Sequence, residues 1–114
     1  MTGFRRRTLG RKDVMSILRR GFRTEQGALR LYWRPVPGNL SNAFSLSIKT
    51  GTLKRAVDRN RWKRVVRESV RSSGYLGAKG FEAVFMLIRP PSAELSLREW
   101  KPVVTDLLRA AGAC

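Results

Sequence analysis

Apolar and polar positions along the chain predict six elements of regular structure. In the predicted helices apolar residues recur every three or four positions, whereas in the first two strands they alternate with polar residues. The elements are a helix over 12–20, strands over 27–34 and 42–48, a helix over 56–71, a strand over 81–88, and a helix opened by a capping box over 96–99. A short extra strand is also expected between Ile48 and Leu53. This order predicts an α+β two-layer sandwich, in which about three helices pack on one small sheet.

The helix predicted over 56–71 has two chemically different faces. Its apolar stripe consists of Trp62, Val65, Val66, Ser69 and Val70. The opposite side carries a polar row that consists of Asn60, Arg64, Arg67 and Arg71, with Lys63 beside it. Like charges along one row repel each other, so they weaken an isolated helix unless a polyanion neutralises them. A solvated surface usually mixes both signs, whereas Glu68 is the only acid of this helix after Asp58. The row therefore favours a nucleic-acid partner.

The strand predicted over 27–34 also has a basic face. Arg30, Tyr32 and Arg34 alternate with apolar residues and point to one side of the predicted sheet. On the next strand Ser45 and Ser47 point outward, which leaves this face open and polar. An aromatic ring between two arginines suits a base that stacks while its phosphates are held. A surface tyrosine with unremarkable neighbours is an equal alternative.

Composition and charge narrow the class of partner. The chain has 114 residues, with 24 Lys and Arg against 8 Asp and Glu, which gives a formal net charge of +16. Nucleic acid is the commonest reason for such a bias, and an anionic membrane surface is the next. No apolar run is long enough for a membrane span, and the N-terminal region lacks the apolar core of a secretory signal. We expect a flexible basic tail over 1–10 and a single domain over 11–114.

The residues that protein-based catalysis would need are scarce. The sequence has no histidine, and its only cysteine is Cys114, so no zinc cluster and no internal disulfide is predicted. The acids are scattered singly, without the clusters that two-metal nucleases use. We therefore predict no catalytic side chain and no metal site. A basic protein without catalytic side chains either only binds RNA or assists a catalyst that is not itself protein.

The basic helix resembles the signature helix of the bacterial ribonuclease P protein family. The matching residues are Ala56-Val57, Arg59-Asn60-Arg61, Lys63-Arg64 and Arg67-Glu68. The resemblance extends over most of the chain, but it has departures. Lys54 stands where the family usually has glycine, and the spacing from Ile48 to Arg59 is one residue longer than usual. Val14 and Leu18 replace aromatic residues that are common on the family's first helix.

The resemblance implies the small subunit of a ribonucleoprotein endoribonuclease whose large RNA is the catalyst. This enzyme removes the 5′ leader of precursor tRNA by Mg²⁺-dependent hydrolysis, and the Mg²⁺ is held mainly by the RNA. The implied partners are the catalytic RNA and precursor tRNA, with no membrane and no obligate protein partner, in the cytoplasm. The family fold also implies a mixed sheet with a left-handed crossover between parallel strands.

Residue roles follow from the resemblance position by position. Contact with the catalytic RNA is expected from Arg59, Asn60, Arg61, Lys63, Arg64 and Arg67, and the helical row adds Arg71. A cleft between the sheet and the first helix would hold the leader, with Tyr32 at the family position and Arg30, Arg34, Ser45 and Ser47 beside it. The main alternative is a structural ribosomal or general RNA-binding protein, and a DNA-binding module is a further one.

Overall fold

The computed structural model describes residues 9–37, 40–78, 80–91 and 97–112 of the chain. The helices are α1 (Arg11–Arg20), α2 (Ala56–Ser72) and α3 (Leu97–Ala110), and a short 3₁₀ turn spans Tyr75–Gly77. The strands are β1 (Phe22–Gln26), β2 (Leu29–Pro35), β3 (Ala43–Ile48) and β4 (Phe81–Leu87). Every predicted helix is confirmed, as are the strands expected over 27–34, 42–48 and 81–88, with shifts of a residue or two at their ends.

The four strands form one mixed sheet with the order β1-β2-β4-β3. β1 pairs antiparallel with β2, and β2 pairs antiparallel with β4. β3 and β4 are parallel, and the connection between them contains α2. The mixed sheet and the α+β class are thereby confirmed. The left hand that the resemblance implies for this connection stays a prediction.

Helices cover both faces of the sheet. The main core lies between one face and helices α2 and α3, where the rings of Trp62 and Trp100 meet edge to face with centroids 6.2 Å apart. A smaller cluster lies on the other face, where Ile17 of α1 packs against Tyr32 and Val84. The three helices therefore do not form a single layer, which refines the predicted two-layer sandwich. The reason is that β2 and β4 place buried apolar side chains on both faces.

β1 is the element that the apolar pattern failed to predict. Residues 22–26 show no alternation of buried and exposed side chains, because β1 lies at the edge of the sheet and pairs only with β2. Gly27 has a φ of 60° and opens a two-residue turn to β2, so it is not part of the strand predicted over 27–34. The extra strand expected after Ile48 is wrong, because the amide of Thr52 donates to the carbonyl of Lys49 in a turn.

Gly21 allows α1 and the sheet to meet closely. A Cβ at this position would lie 2.6 Å from the carbonyl oxygen of Ile17 and 2.7 Å from that of Trp33. Only glycine allows the end of α1 to lie this close to the backbone of β2 without a backbone shift. The predicted capping residue Ser96, and residues 1–8 of the predicted tail, lie outside the described residues.

Candidate nucleic-acid interface

Helix α2 separates its apolar and polar residues as predicted. Trp62, Val66, Ser69 and Val70 are buried, and Val65 is half-buried against the main core. On the opposite side Asn60, Arg64, Arg67 and Arg71 are all exposed. The hydroxyl of Ser69 donates to the carbonyl of Val65, so its polar group is satisfied inside the helix. Packing of the apolar stripe therefore fixes the helix with its basic row in solvent.

The centre of this row has no carboxylate partner among the residues that the structure describes. Arg64 and Arg67 form no ion pair there, nor do the exposed Arg61 and the half-buried Lys63. Arg71 lies 3.9 Å from Glu68, but both side chains are largely exposed, so this pair is weak. The positive charges remain available to an external anion.

Arg59 has a different role from the other basic residues of α2. One guanidinium nitrogen donates to the carbonyl oxygens of Leu53 and Lys54, at 3.0 and 2.8 Å. These bonds hold the turn that enters the helix, at the segment where the spacing departs from the family pattern. Part of this arginine is therefore committed to the fold, which sequence spacing alone did not indicate.

The residues predicted to line the leader cleft share one face of the sheet. Tyr32, Val84 and Ser45 lie side by side across β2, β4 and β3, and Arg30, Met86 and Ser47 form the adjacent row. Ser45 and Ser47 are half-buried, whereas Tyr32 is only 9% exposed, within the cluster under α1. The face is therefore assembled as expected, but its aromatic ring is covered. Leader binding by these residues stays a prediction.

Arg30 is engaged with neighbours on this face. Its guanidinium donates to the hydroxyl of Tyr32 and to the carboxylate of Glu25, both at 2.9 Å. The hydrogen bond from Arg30 lowers the pKa of Glu25, against a smaller opposing effect of desolvation. The bond to Tyr32, followed by that to Glu25, raises the pKa of Arg30. Glu25 of the unpredicted strand β1 thus partly neutralises a cation that we expected to face RNA.

Whereas Arg30 donates hydrogen bonds to two side chains, Arg34 donates to three. Its guanidinium donates to Glu82 at 2.9 Å, to Ser16 at 3.0 Å and to Asp13 at 3.2 Å. Glu82 is buried, while Asp13 and Ser16 belong to α1, so the arginine ties this helix to the sheet. The sequence does carry a signal for this pairing, because Glu82 is a lone acid inside the apolar run of β4. Buried acids are rarely unpaired, so a cationic partner is expected for it.

Neither a metal centre nor a membrane span is found in the described part of the chain. No group of three or more His, Cys, Asp or Glu side chains within it could hold a metal ion. None of its helices combines the length and the apolar composition that crossing a membrane requires.

The fold and the site define an α+β protein in which helices cover both faces of the sheet and one helix exposes Arg64 and Arg67, which form no ion pair with the described residues. The model of the Ribonuclease P family matches residues 5–112, and the chain belongs to this family. Membership implies that the chain is a component of a ribonuclease and that its partner is ribonuclease P RNA.

Solved structures show the same fold. The RNase P protein of Staphylococcus aureus superposes with a TM-score of 0.76 at 16% sequence identity, covering 91% of this chain and 93% of that one. The RNase P protein from Thermotoga maritima gives 0.72 at 22% identity, covering 94% of this chain and 97% of that one. No curated protein matches the chain. Similarity at such low identity shows a shared fold.

Proposed function

We propose that the chain is the protein subunit of ribonuclease P and that the outer face of α2 binds the catalytic RNA. The observation that carries this proposal is the exposed position of Arg64 and Arg67, without a carboxylate partner in the described residues. Each guanidinium can hold two phosphate oxygens, and Asn60 can hydrogen-bond bases or 2′-hydroxyl groups. Arg71 continues the same row, and Arg61 and Lys63 add charge beside it.

The proposed role of this chain in the reaction is to bind and to orient. The holoenzyme hydrolyses a phosphodiester bond of precursor tRNA and releases the 5′ leader. Mg²⁺ held by the RNA supplies the charge stabilisation for that step. The described residues offer no cluster that fits a metal, so no step is assigned to a metal on the protein. The basic side chains of the protein neutralise phosphates of the RNA. This neutralisation lowers the Mg²⁺ concentration that the folded RNA needs.

The leader is proposed to lie on the sheet face beside α1. The alignment of Tyr32 with Ser45 and of Arg30 with Ser47, across Val84 and Met86 of β4, supports one face with polar side chains on either side of an apolar strand. Because Arg34 is bonded to Glu82 and to α1, its proposed role is to hold α1 at a fixed position on the sheet beside the leader. Binding that depends on charge and shape tolerates many leader sequences. Cytoplasmic location is part of the same proposal, since precursor tRNA is the substrate.

Cleavage of a precursor tRNA by the partner RNA, with and without the protein at low Mg²⁺, tests the proposal. We expect the protein alone to cleave nothing, but to lower the substrate Kd and the Mg²⁺ requirement of the RNA. Unchanged cleavage at physiological Mg²⁺ and salt would refute the proposal. Recovery of mainly ribosomal RNA with the protein from cells would favour the structural ribosomal alternative.

A matched pair of variants makes this test specific to α2. Arg64→Gln/Arg67→Gln removes two charges from the proposed interface, and Lys101→Gln/Arg109→Gln removes two exposed charges from α3. The first variant should lose the stimulation of cleavage, while the second should retain most of it. Equal loss in both would show that net charge, and not the face of α2, causes the effect.

A further inference from the structure

A second cationic surface lies on the outer side of α1. Lys12 and Arg19 are exposed, and so are Arg11 and Met15 next to them. On a helix these four positions fall on one side, opposite the fully buried Ile17. Together with Arg20, and with the half-buried Ser16 at the edge towards the sheet, they line one open surface depression.

This surface carries no compensating acid in the described part of the chain. Asp13 is the only acidic residue of α1, and its carboxylate is directed to Arg34 at 3.2 Å. Arg11, Lys12, Arg19 and Arg20 have no ion pair among the described residues. Like charges gathered on one helix face are unfavourable unless an anion approaches them.

The orientation of this surface is fixed by the fold. Arg34 holds Asp13 and Ser16 on the inner side of α1, and Gly21 lets the end of the helix meet the backbone of β2. α1 packs on the face of Tyr32 and Val84, whereas α2 packs on the opposite face. The exposed cations of the two helices therefore lie on opposite sides of the sheet, as two separate surfaces.

We propose that the outer face of α1 binds the phosphates of the precursor tRNA leader, upstream of the part that lies in the cleft. This inference rests on the proposed function, in which α2 is occupied by the catalytic RNA. The inner side of α1 is packed against Tyr32 and Val84, so the proposed leader site is the neighbouring part of the same sheet face, around the half-buried Ser45 and Ser47. A longer leader that leaves this part of the face can continue over the outer side of α1. Lys12 and Arg19 are about 10 Å apart along the axis, enough for a few consecutive phosphates. Met15, 43% exposed between them, offers an apolar contact to a ribose or base.

Lys12→Gln/Arg19→Gln tests this surface in the reconstituted holoenzyme. Lys101→Gln/Arg109→Gln on α3 is the matched control, because it also removes one exposed lysine and one exposed arginine. Two precursor tRNAs serve as probes: one with a short leader that ends within the cleft, and one with a long leader that continues beyond it. Circular dichroism and thermal unfolding check that both variants fold.

We expect the α1 variant to lose about tenfold in affinity for the long-leader substrate at physiological salt, with the log–log salt slope reduced by about 1.4. Affinity for the short-leader substrate and for the catalytic RNA should change no more than in the control. Equal losses in the variant and the control would overturn the inference, as would unchanged affinity for the long leader. A loss confined to binding of the catalytic RNA would overturn it by assigning the surface to that RNA.

The outcome also separates this inference from the proposed function. If Arg64→Gln/Arg67→Gln weakens assembly with the catalytic RNA while the α1 variant behaves like the control, only the role of α1 is refuted. If the α2 variant also assembles normally, the proposed function itself fails.

Discussion

The outer face of α2 and the sheet face under α1 carry similar basic residues, but their surroundings differ. Arg64 and Arg67 on α2 have no acidic partner in the described residues, whereas Arg30 and Arg34 on β2 are paired with Glu25 and Glu82. A helix face is surrounded mainly by its own sequence, which here is poor in acids. A strand lies beside other strands, and these bring acids from across the hairpin, as with Glu25, or from 48 positions away along the chain, as with Glu82. The comparison separates cations that are available to an external anion from cations that hold the fold.

The largest expected effect concerns Arg34. Arg34→Met leaves the buried Glu82 without its main cationic partner, so we expect the free energy of unfolding to fall by about 2 kcal/mol, after allowance for the partial exposure of Arg34. Urea unfolding measures this change. Arg64→Met is the control, with an expected change within about 0.5 kcal/mol. Similar stability changes in both variants would remove the distinction between the two faces.

The next effect concerns assembly with the catalytic RNA. Arg64→Gln/Arg67→Gln should weaken binding about tenfold at physiological salt and lower the magnitude of the log–log salt slope by about 1.4. Thermal stability should be unchanged, because both side chains lie in solvent. Filter binding across a salt series measures the affinity. A slope equal to that of the unmodified protein would contradict a phosphate-dominated interface.

Tyr32 should show a smaller effect. Tyr32→Ala would remove a ring from the cluster under α1 and lower stability, so it cannot report on leader binding alone. Tyr32→Phe keeps the ring and removes only the hydroxyl that accepts from Arg30. We expect leader affinity to change by no more than about twofold. A larger loss, measured by competition with a leaderless tRNA, would show that the hydroxyl contacts the leader directly.

The smallest expected effect is a pH dependence from Glu25. Arg30 lowers the pKa of this carboxylate from its ordinary value near 4.5. A lowered pKa in the folded state contributes stability that is present above the unfolded value and is lost as the pH falls through the folded value. Glu25→Gln should therefore flatten the decline of the melting temperature on acidification below that ordinary value. An unchanged slope in thermal unfolding would show that the pair contributes nothing.

Much of the fold could be predicted because the apolar periods are clear. The stripe of Trp62 and Val66 predicted the buried side of α2, and the run over 81–88 predicted the central strand β4. β1 could not be predicted in this way, since residues 22–26 have no alternating pattern and are held by pairing with β2. The nearly continuous apolar run also favours a central strand buried on both faces, as the structure has it, but the run cannot show which helices cover each face.

The candidate site was predictable to a different extent on each face. Exposure of Asn60, Arg64 and Arg67 follows from helical spacing, and the structure has them in solvent. The partners of Arg34 come from residues 18 and 48 positions away at Ser16 and Glu82, distances that local pattern does not cover. Arg59 was expected to contact RNA, yet its guanidinium also holds the turn before α2.

The sequence by itself determined the charge of this protein, the family to which it belongs and the side of α2 that meets solvent. These depend on composition and on spacing within one helix, which act over a few residues. Only the tertiary structure decided which cations are free, because an ion pair depends on strands that meet in space. It also decided that α1 and α2 lie on opposite faces of the sheet, which gives one small basic protein two separate cationic surfaces.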